Sequence, residues 1–474
     1  MITLDAPQVQ RPTRSSLVPG LIFMGTVVSI ISSLGAPLIP TVAADDHVSL
    51  GAAQWSLTIT FLVSALATPL MGRLGDGPHR RTVIIGSLGV VTLGAVLAAL
   101  PFGFVLLLVG RGLQGVGLGL TPLGIAVARD TLPPDRGRST TAMLSITTVA
   151  GLGLGYPITG LIADHGGLHA AFWFGAACSA AALVVAALVV PSSAHHPRQR
   201  LDVLGAVLLG AALAGLLLAI SEGEGWGWGS ARLLGVVAVA LAALAGWILL
   251  ELRRSYALVQ LRLLSLRAVL TGNVGALFAG IAMYLLISLV TRFVQTPASS
   301  GYGLGASAAV SGLVLLPFSA GSVVANRITH TLIRRTSAEA LLSVGSAVGL
   351  IATLLFTFAR ASLWEVATLM GIAGLGVGII FAVMPSLIVG AVPRQETGSA
   401  TSFNQVIRYV GYAAGSAMSA VVLEARTVPG HLLPAAGGYT VAGLIGCGVW
   451  VVTAVVSLAL PRLPHNRTTT GNQS

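Results

Sequence analysis

One arginine stands where an apolar chain has least room for it. Arg111 opens the run Arg111-Gly112-Leu113-Gln114-Gly115-Val116-Gly117 within 104–128, a stretch that carries no other charge. A guanidinium at bilayer depth costs about 2.5–3.5 kcal/mol even on the insertion scale, so Arg111 must face a cavity or a polar partner. In a helix, Gln114, Gly115 and Leu118 share its face. Two roles are open to it: a functional cation in a wet cavity, or a structural arginine donating to backbone carbonyls across a bundle. A dinucleotide-binding role for the glycines is excluded, because no strand–helix unit surrounds them.

Three further stretches could do chemistry. Gly72-Arg73-Leu74-Gly75-Asp76-Gly77-Pro78-His79-Arg80-Arg81 reads as a tight basic turn in which Asp76 caps a neighbouring helix or pairs with an arginine. In Gly151-Leu152-Gly153-Leu154-Gly155-Tyr156-Pro157-Ile158-Thr159-Gly160, Gly151 and Gly155 have the spacing that lets helices approach closely, and Pro157 permits a bend. Asn404, Gln405 and Arg408 share one helical face, which predicts either a wet cavity or a polar clasp between bundles. Tyr156, Phe278, Tyr284 and Phe381 are candidates to wall a cavity by stacking and cation–π contact, with Trp55, Phe61, Phe318 and Tyr412 behind them.

The elements that position these residues follow from composition. Of 474 residues, 55% are apolar and only 9% charged, against roughly 25% charged in a soluble domain. Mean hydropathy is +0.89, which excludes a soluble globular fold. The net charge of +11 comes entirely from arginine, since the chain has no lysine. In so apolar a chain those arginines belong on loops facing a membrane surface and not on a nucleic acid. Cys178 and Cys447 lie inside apolar runs and make neither a disulfide scaffold nor a metal cluster.

Runs able to cross a hydrocarbon core need about 20 apolar residues. The chain has fourteen, at 18–42, 51–71, 82–102, 104–128, 140–163, 170–191, 203–220, 233–250, 268–291, 306–326, 338–359, 364–390, 399–423 and 438–460. The first is expected to be a retained helix and not a removed signal peptide. With the N-terminus in the cytoplasm, twenty arginines fall on inward loops and tails, four at the outer side (Arg232, Arg292, Arg360, Arg426) and two within spans (Arg111, Arg408). That bias predicts both termini inside.

The two halves repeat. Gly112, Gly115, Gly117, Gly119 and Pro134 recur as Gly371, Gly374, Gly376, Gly378 and Pro393, each 259 residues on. Such an offset is about eight span-and-loop units, two more than a six-span bundle, and 203–250 supplies the extra pair. The expected fold is therefore an all-α polytopic membrane protein of fourteen transmembrane helices. Its expected parts are a tail at 1–16, a six-helix bundle at 17–191, a linker with two inserted helices at 192–267, a second bundle at 268–460 and a tail at 461–474.

The order G-x-L-x-D-x-x-x-R-R at 72–81 and the run R-x-x-Q-G-x-G at 111–117 resemble signature motifs of the major facilitator superfamily. His79 departs from the first of these. The stretch 151–160 resembles the motif of exporters within it, with Tyr156 where proline is usual. Along nearly its whole length the chain is similar to the 14-span drug:proton antiporter branch. That resemblance implies the major facilitator fold, export of small amphipathic molecules by alternating access, residence in the cell membrane and a role for Arg111 with Gln114 in proton coupling. It also implies an aspartate in the first span; aligning the proline that follows it with Pro40 places Ile31 there instead.

All fifteen acids lie outside mid-span. A coupling proton must then bind at outer-rim Asp46, Glu222 or Glu224, or at cytoplasmic Asp76. Small solutes and protons are the expected partners of a monomer in a lipid bilayer, with no cofactor, no metal and no nucleic acid. An importer or facilitator on the same fold is the alternative, and a non-transporting receptor a more distant one. No catalytic constellation or nucleotide-binding G-x-x-x-x-G-K-[ST] loop is present, so neither an enzyme nor an ATP-driven pump is expected.

Overall fold

The computed structural model describes residues 16–75, 79–191, 202–254, 261–333, 335–392, 397–428 and 433–458. The described residues hold no β-strand. The helices are α1 (Leu17–Ser33), α2 (Ile39–Asp45), α3 (Leu50–Gly75), α4 (Arg80–Ala99), α5 (Phe104–Gly115), α6 (Leu120–Thr131), α7 (Pro134–Val189), α8 (Val203–Trp226), α9 (Ala231–Arg253), α10 (Arg267–Gln295), α11 (Ala308–Leu332), α12 (Ala338–Phe358), α13 (Leu363–Ala391), α14 (Thr397–Glu424) and α15 (Ala436–Leu458). Serines start four of them: Ser230, Ser307, Ser337 and Ser362 each accept the main-chain N–H three residues on, and Glu365 completes a capping box with Ser362. The expected tails lie almost wholly outside the described residues.

Among the described residues thirteen helical segments are long and apolar enough to cross a membrane. The fourteen expected runs differ from this count at one place. Runs 140–163 and 170–191 form the single element α7, 56 residues long and interrupted at Gly167, where φ is 79°. An unbroken helix of that length would be about 84 Å long, far more than the roughly 30 Å of hydrocarbon. Only glycine takes that left-handed φ without strain, so the chain can reverse at Gly167. The first and fourth runs are each broken by a 3₁₀ turn, Ala36–Leu38 and Val116–Gly119.

The main apolar core draws on α1–α8 and α10–α15. A second, smaller core of Leu209 and Trp247 packs α8 and α9 onto Leu66 and Leu70 of α3 and Phe403 of α14. Asp202, wholly buried, pairs with Arg254 and accepts from Gly205 N at 2.9 Å, closing the base of that helix pair. Large apolar side chains such as Val239 and Leu188 remain exposed, as a lipid-facing surface requires. Exposed Phe102, Trp228, Phe358 and Trp364 all fall on the face that the arginine count places outside, where aromatic side chains suit the membrane interface.

The repeat is structural. A Cβ added at Gly115 would run into Thr60 O of α3, and one at Gly374 into Phe318 O of α11; Gly117 lies against Val91 of α4, and Gly376 against Gly345 and Gly349 of α12. Each glycine set presses one helix onto the same two neighbours of its own half.

Candidate functional site

Arg111 is wholly buried. Its Nη1 donates to Gln114 Oε1 at 2.6 Å and to Ile31 O at 3.4 Å, and its Nε donates to Ser56 O at 3.2 Å. The Phe172 ring lies 5.9 Å from the guanidinium carbon. The carbonyl of Ile31 lies in the last turn of α1, which stops at Ser33; it accepts from Leu34 N at 3.2 Å and keeps a lone pair for Arg111. A cation also suits the negative end of α1. Where the resemblance implies an acid, the chain thus offers the arginine a main-chain carbonyl. Nη2 has no hydrogen-bond partner and faces Gly35 in the break, where a Cβ would lie 2.9 Å away.

Beside Arg111 lies an aromatic box built from both halves. Phe61 of α3 meets Tyr284 of α10 at 4.4 Å and Tyr412 of α14 at 5.4 Å between centroids; Tyr284 and Tyr412 are 4.6 Å apart. Phe381 of α13 approaches Tyr412 at 6.3 Å, and Tyr156 of α7 shares a side-chain hydrogen bond with Tyr284. Tyr284 is also an electrostatic neighbour of Arg111. On the other side of the box the Arg408 guanidinium lies 4.7 Å over the Phe381 ring, and its Nε has no partner. Burial is graded across it: Arg111, Phe61, Tyr156 and Tyr284 are buried, whereas Gln405, Arg408, Phe381 and Tyr412 are partly exposed.

Two expected cavity residues stand apart from the box. Asn404 donates to Gly272 O at 3.1 Å and Asn273 Oδ1 at 3.2 Å, tying α14 to α10 as a clasp. Phe278 is half-buried on α10 and, among the described residues, makes no ring contact.

On the face expected to be outward the two halves are joined. Gln54 Nε2 of α3 donates to Ser288 Oγ at 3.0 Å and Ser416 Oγ at 2.7 Å, and Thr58 and Ser416 hydroxyls are 3.0 Å apart. At about 0.6 kcal/mol for each interhelical bond in a membrane protein, these three form a latch of about 2 kcal/mol. Asp164 of α7 accepts from Ala308 N and Ala309 N, both at 3.0 Å, at the start of α11. Reciprocally, the Glu424 carboxylate of α14 lies against Gly51 in the first turn of α3. The expected exporter stretch forms the closest approach: a Cβ on Gly160 would meet Ala308 main chain, and one on Gly312 would meet Tyr156 O at 2.5 Å. Gly151, Gly155 and Pro157 lie in the same part of α7.

In the basic loop, Arg80 Nη1 bonds Asp130 Oδ2 at 2.7 Å and Arg81 Nη2 donates to Ala187 O at 2.6 Å. Gly72 lies in the last turn of α3, and Asp76 is outside the described residues. Glu222 is half-buried at the end of α8; the Glu224 side chain is outside the described set. Asp46 follows α2, where burial and then the Asp45 carboxylate raise its pKa above the usual 3.8, with His169 and His47 opposing.

A sequence profile of the Major Facilitator Superfamily matches residues 21–416. The chain belongs to the Major Facilitator Superfamily. It is 30% identical over 426 residues to the Uncharacterized MFS-type transporter of Mycobacterium tuberculosis H37Rv, covering 88% of this chain and 60% of that protein. This chain therefore spans less than two thirds of that relative's length. The Tetracenomycin C resistance and export protein of Streptomyces glaucescens is 28% identical over 415 residues, covering 84% of this chain and 74% of that one. A crystal structure of a peptide transporter POT in complex with sulfate superposes with a TM-score of 0.66 at 15% identity, covering 95% of this chain and 96% of the other. The chain is thus a multi-pass membrane protein of a transporter family.

This member of the superfamily carries polar joints that the sequence reading did not single out. Gln54, Ser288 and Ser416 are ordinary residues within apolar runs, and hydroxyls there commonly bond their own helix, as Thr291 does to Ile287 O at 3.0 Å. Asp164 and Glu424 are among the acids outside mid-span, but their partners lie on the opposite half, beyond the reach of spacing.

Proposed function

We propose that this protein is a secondary transporter exporting small amphipathic molecules from the cell by alternating access, in exchange for protons. The observation that carries the reading is the aromatic box, whose rings come from both halves and whose burial decreases from Arg111 toward Arg408. A solute held between two bundles is exposed to either side as they rock, and the bundles are 17–191 and 268–460 with α8 and α9 inserted. The membrane is the plasma membrane, with both termini cytoplasmic. The outward latch is weak enough to open: about 2 kcal/mol corresponds to roughly one molecule in thirty unlatched. The resistance and export function of the Streptomyces glaucescens relative favours the outward direction. Asp46, with its raised pKa, is the proton site nearest the closed end of α1, and Arg111 with Gln114 transmits its state through Ile31 and α1.

The test is transport by purified protein in proteoliposomes with an imposed pH gradient, the reverse gradient, and a protonophore. Accumulation of a substrate dye that follows the gradient and vanishes with the protonophore supports antiport. Equilibration at one rate and extent in all three conditions overturns it in favour of a facilitator.

A further inference from the structure

The aromatic box is bounded by cations alone. Arg111 lies on its buried side and Arg408 on its accessible side, and each keeps one guanidinium nitrogen without a hydrogen-bond partner, Nη2 in the first and Nε in the second. No aspartate or glutamate of the sequence falls at mid-span, and among the described residues no carboxylate pairs with either arginine. Gln114 satisfies a single Arg111 nitrogen, and main-chain carbonyls take what else is bonded. Two guanidiniums held beside a low-dielectric box without a counter-charge create a positive potential that only a mobile species can meet. The rings between them touch one another at centroid separations of 4.4–6.3 Å, and the partly exposed Phe381 and Tyr412 present the flat surfaces on which a planar solute can stack.

We propose that the box selects aromatic anions: a planar solute stacks on the partly exposed rings of Phe381 and Tyr412, and its carboxylate, sulfonate or ionised phenol binds the unpartnered Nε edge of Arg408, with the buried Arg111 behind the rings adding to the positive potential. Cationic solutes are excluded, because they meet two like charges and no acid. This inference rests on the transporter reading only in taking the box as the solute site. It also removes the need for a buried acid. An anion leaving a cell whose interior is negative moves with the membrane potential, which favours its efflux by about 50-fold per 100 mV.

The experiment measures equilibrium binding to the full chain in lipid nanodiscs, with empty nanodiscs as background. The probes are anilinonaphthalene sulfonate, an anion; phenylnaphthylamine, the same rings without charge; and ethidium, a cation. The sulfonate is expected to bind at least about tenfold more tightly than the neutral probe, the equivalent of one charge-assisted hydrogen bond, and ethidium more weakly than either. Arg408→Gln is expected to bring the sulfonate within about twofold of the neutral probe, and Arg111→Gln to weaken it further where that variant folds. Arg360→Gln, outside the box and bonded to Thr357 O at 2.7 Å and Thr440 Oγ1 at 2.8 Å, is expected to leave the preference unchanged. Equal binding of sulfonate and neutral probe, tighter binding of ethidium, or a sulfonate preference that survives Arg408→Gln overturns the proposal. Binding at equilibrium does not depend on the direction or driving force of transport, so a failed export assay and a failed anion preference are separate results.

Discussion

The repeated segments 111–119 and 370–378 are copies that diverge in polar character at two positions. Both carry four glycines packed toward the two preceding helices of their own half, yet the residues 259 positions beyond Arg111 and Gln114 are Met370 and Ala373. Burial is the same in both, at 0% and 2% exposure in each pair. The comparison separates two kinds of constraint. Close packing needs the glycines, since both halves keep them. It does not need the arginine, since α13 packs as tightly with a methionine. A cost of about 2.5–3.5 kcal/mol for a buried arginine is thus accepted in one half only, and its reward must lie outside packing. The surroundings diverge with it. Ile31 stands at the broken end of α1, where its carbonyl takes a hydrogen bond from Arg111, while its counterpart Val290 sits within the unbroken α10. Asp46 on the first outer loop has Gly305 as its counterpart.

The largest effect should come from erasing the divergence. Arg111→Met makes α5 resemble α13 and is expected to lower transport in proteoliposomes roughly 10- to 150-fold, the equivalent of 1.5–3 kcal/mol from hydrogen bonds to a charged group. The protein should still insert and run as one species on size exclusion. Met370→Leu, a volume-conserving swap, should stay within about twofold of wild type. Unchanged transport by Arg111→Met would remove the arginine from the mechanism. The shared glycines sharpen the point from the other side. Gly115→Ala and Gly374→Ala should each cost about 1–3 kcal/mol of stability by forcing main chains apart, seen as similar falls in thermal melting in detergent; a loss confined to one half would show that the copies do not pack alike.

How much of this was legible depends on what sets each feature. The spans follow from hydropathy, and α3, α10 and α15 fall close to the runs that mark them. The fifth and sixth runs became one element because only backbone torsion at Gly167 separates them. Arg111 and Gln114 could be singled out because one helix places them together. Asn404 was visible as polar, but its partner Asn273 lies 131 residues away, so clasp and cavity were indistinguishable. Phe61 and Phe278 look alike in sequence; only packing puts the first in the box and leaves the second outside it.

The outward caps give a smaller effect. Asp164 meets the start of α11 and Glu424 the start of α3, again one from each half. A carboxylate at a helix N-terminus contributes about 0.3–1 kcal/mol. Asp164→Asn and Glu424→Gln should each raise labelling of a cysteine placed at the buried Ala53 of α3 about two- to fivefold, on a background lacking Cys178 and Cys447. Labelling that changes for one variant alone would break the reciprocity.

The smallest effect concerns Asp46. Its folded pKa lies above the unfolded value of 3.8, so its carboxylate costs stability above both values and that cost disappears as pH falls below them. Wild type should therefore gain melting temperature relative to Asp46→Asn as pH falls from neutral toward 4. A difference independent of pH would mean that Asp46 does not titrate in this way.

The central claim is that the two halves close and open the outward face around one site. It is tested most directly by pulsed electron spin resonance distances between labels at His165→Cys of α7 and Ser300→Cys before α11, with both native cysteines replaced. The account predicts two distance populations in nanodiscs, the shorter dominant, with the longer increased by Asp164→Asn. A single distance, the same in wild type and variant, would contradict it.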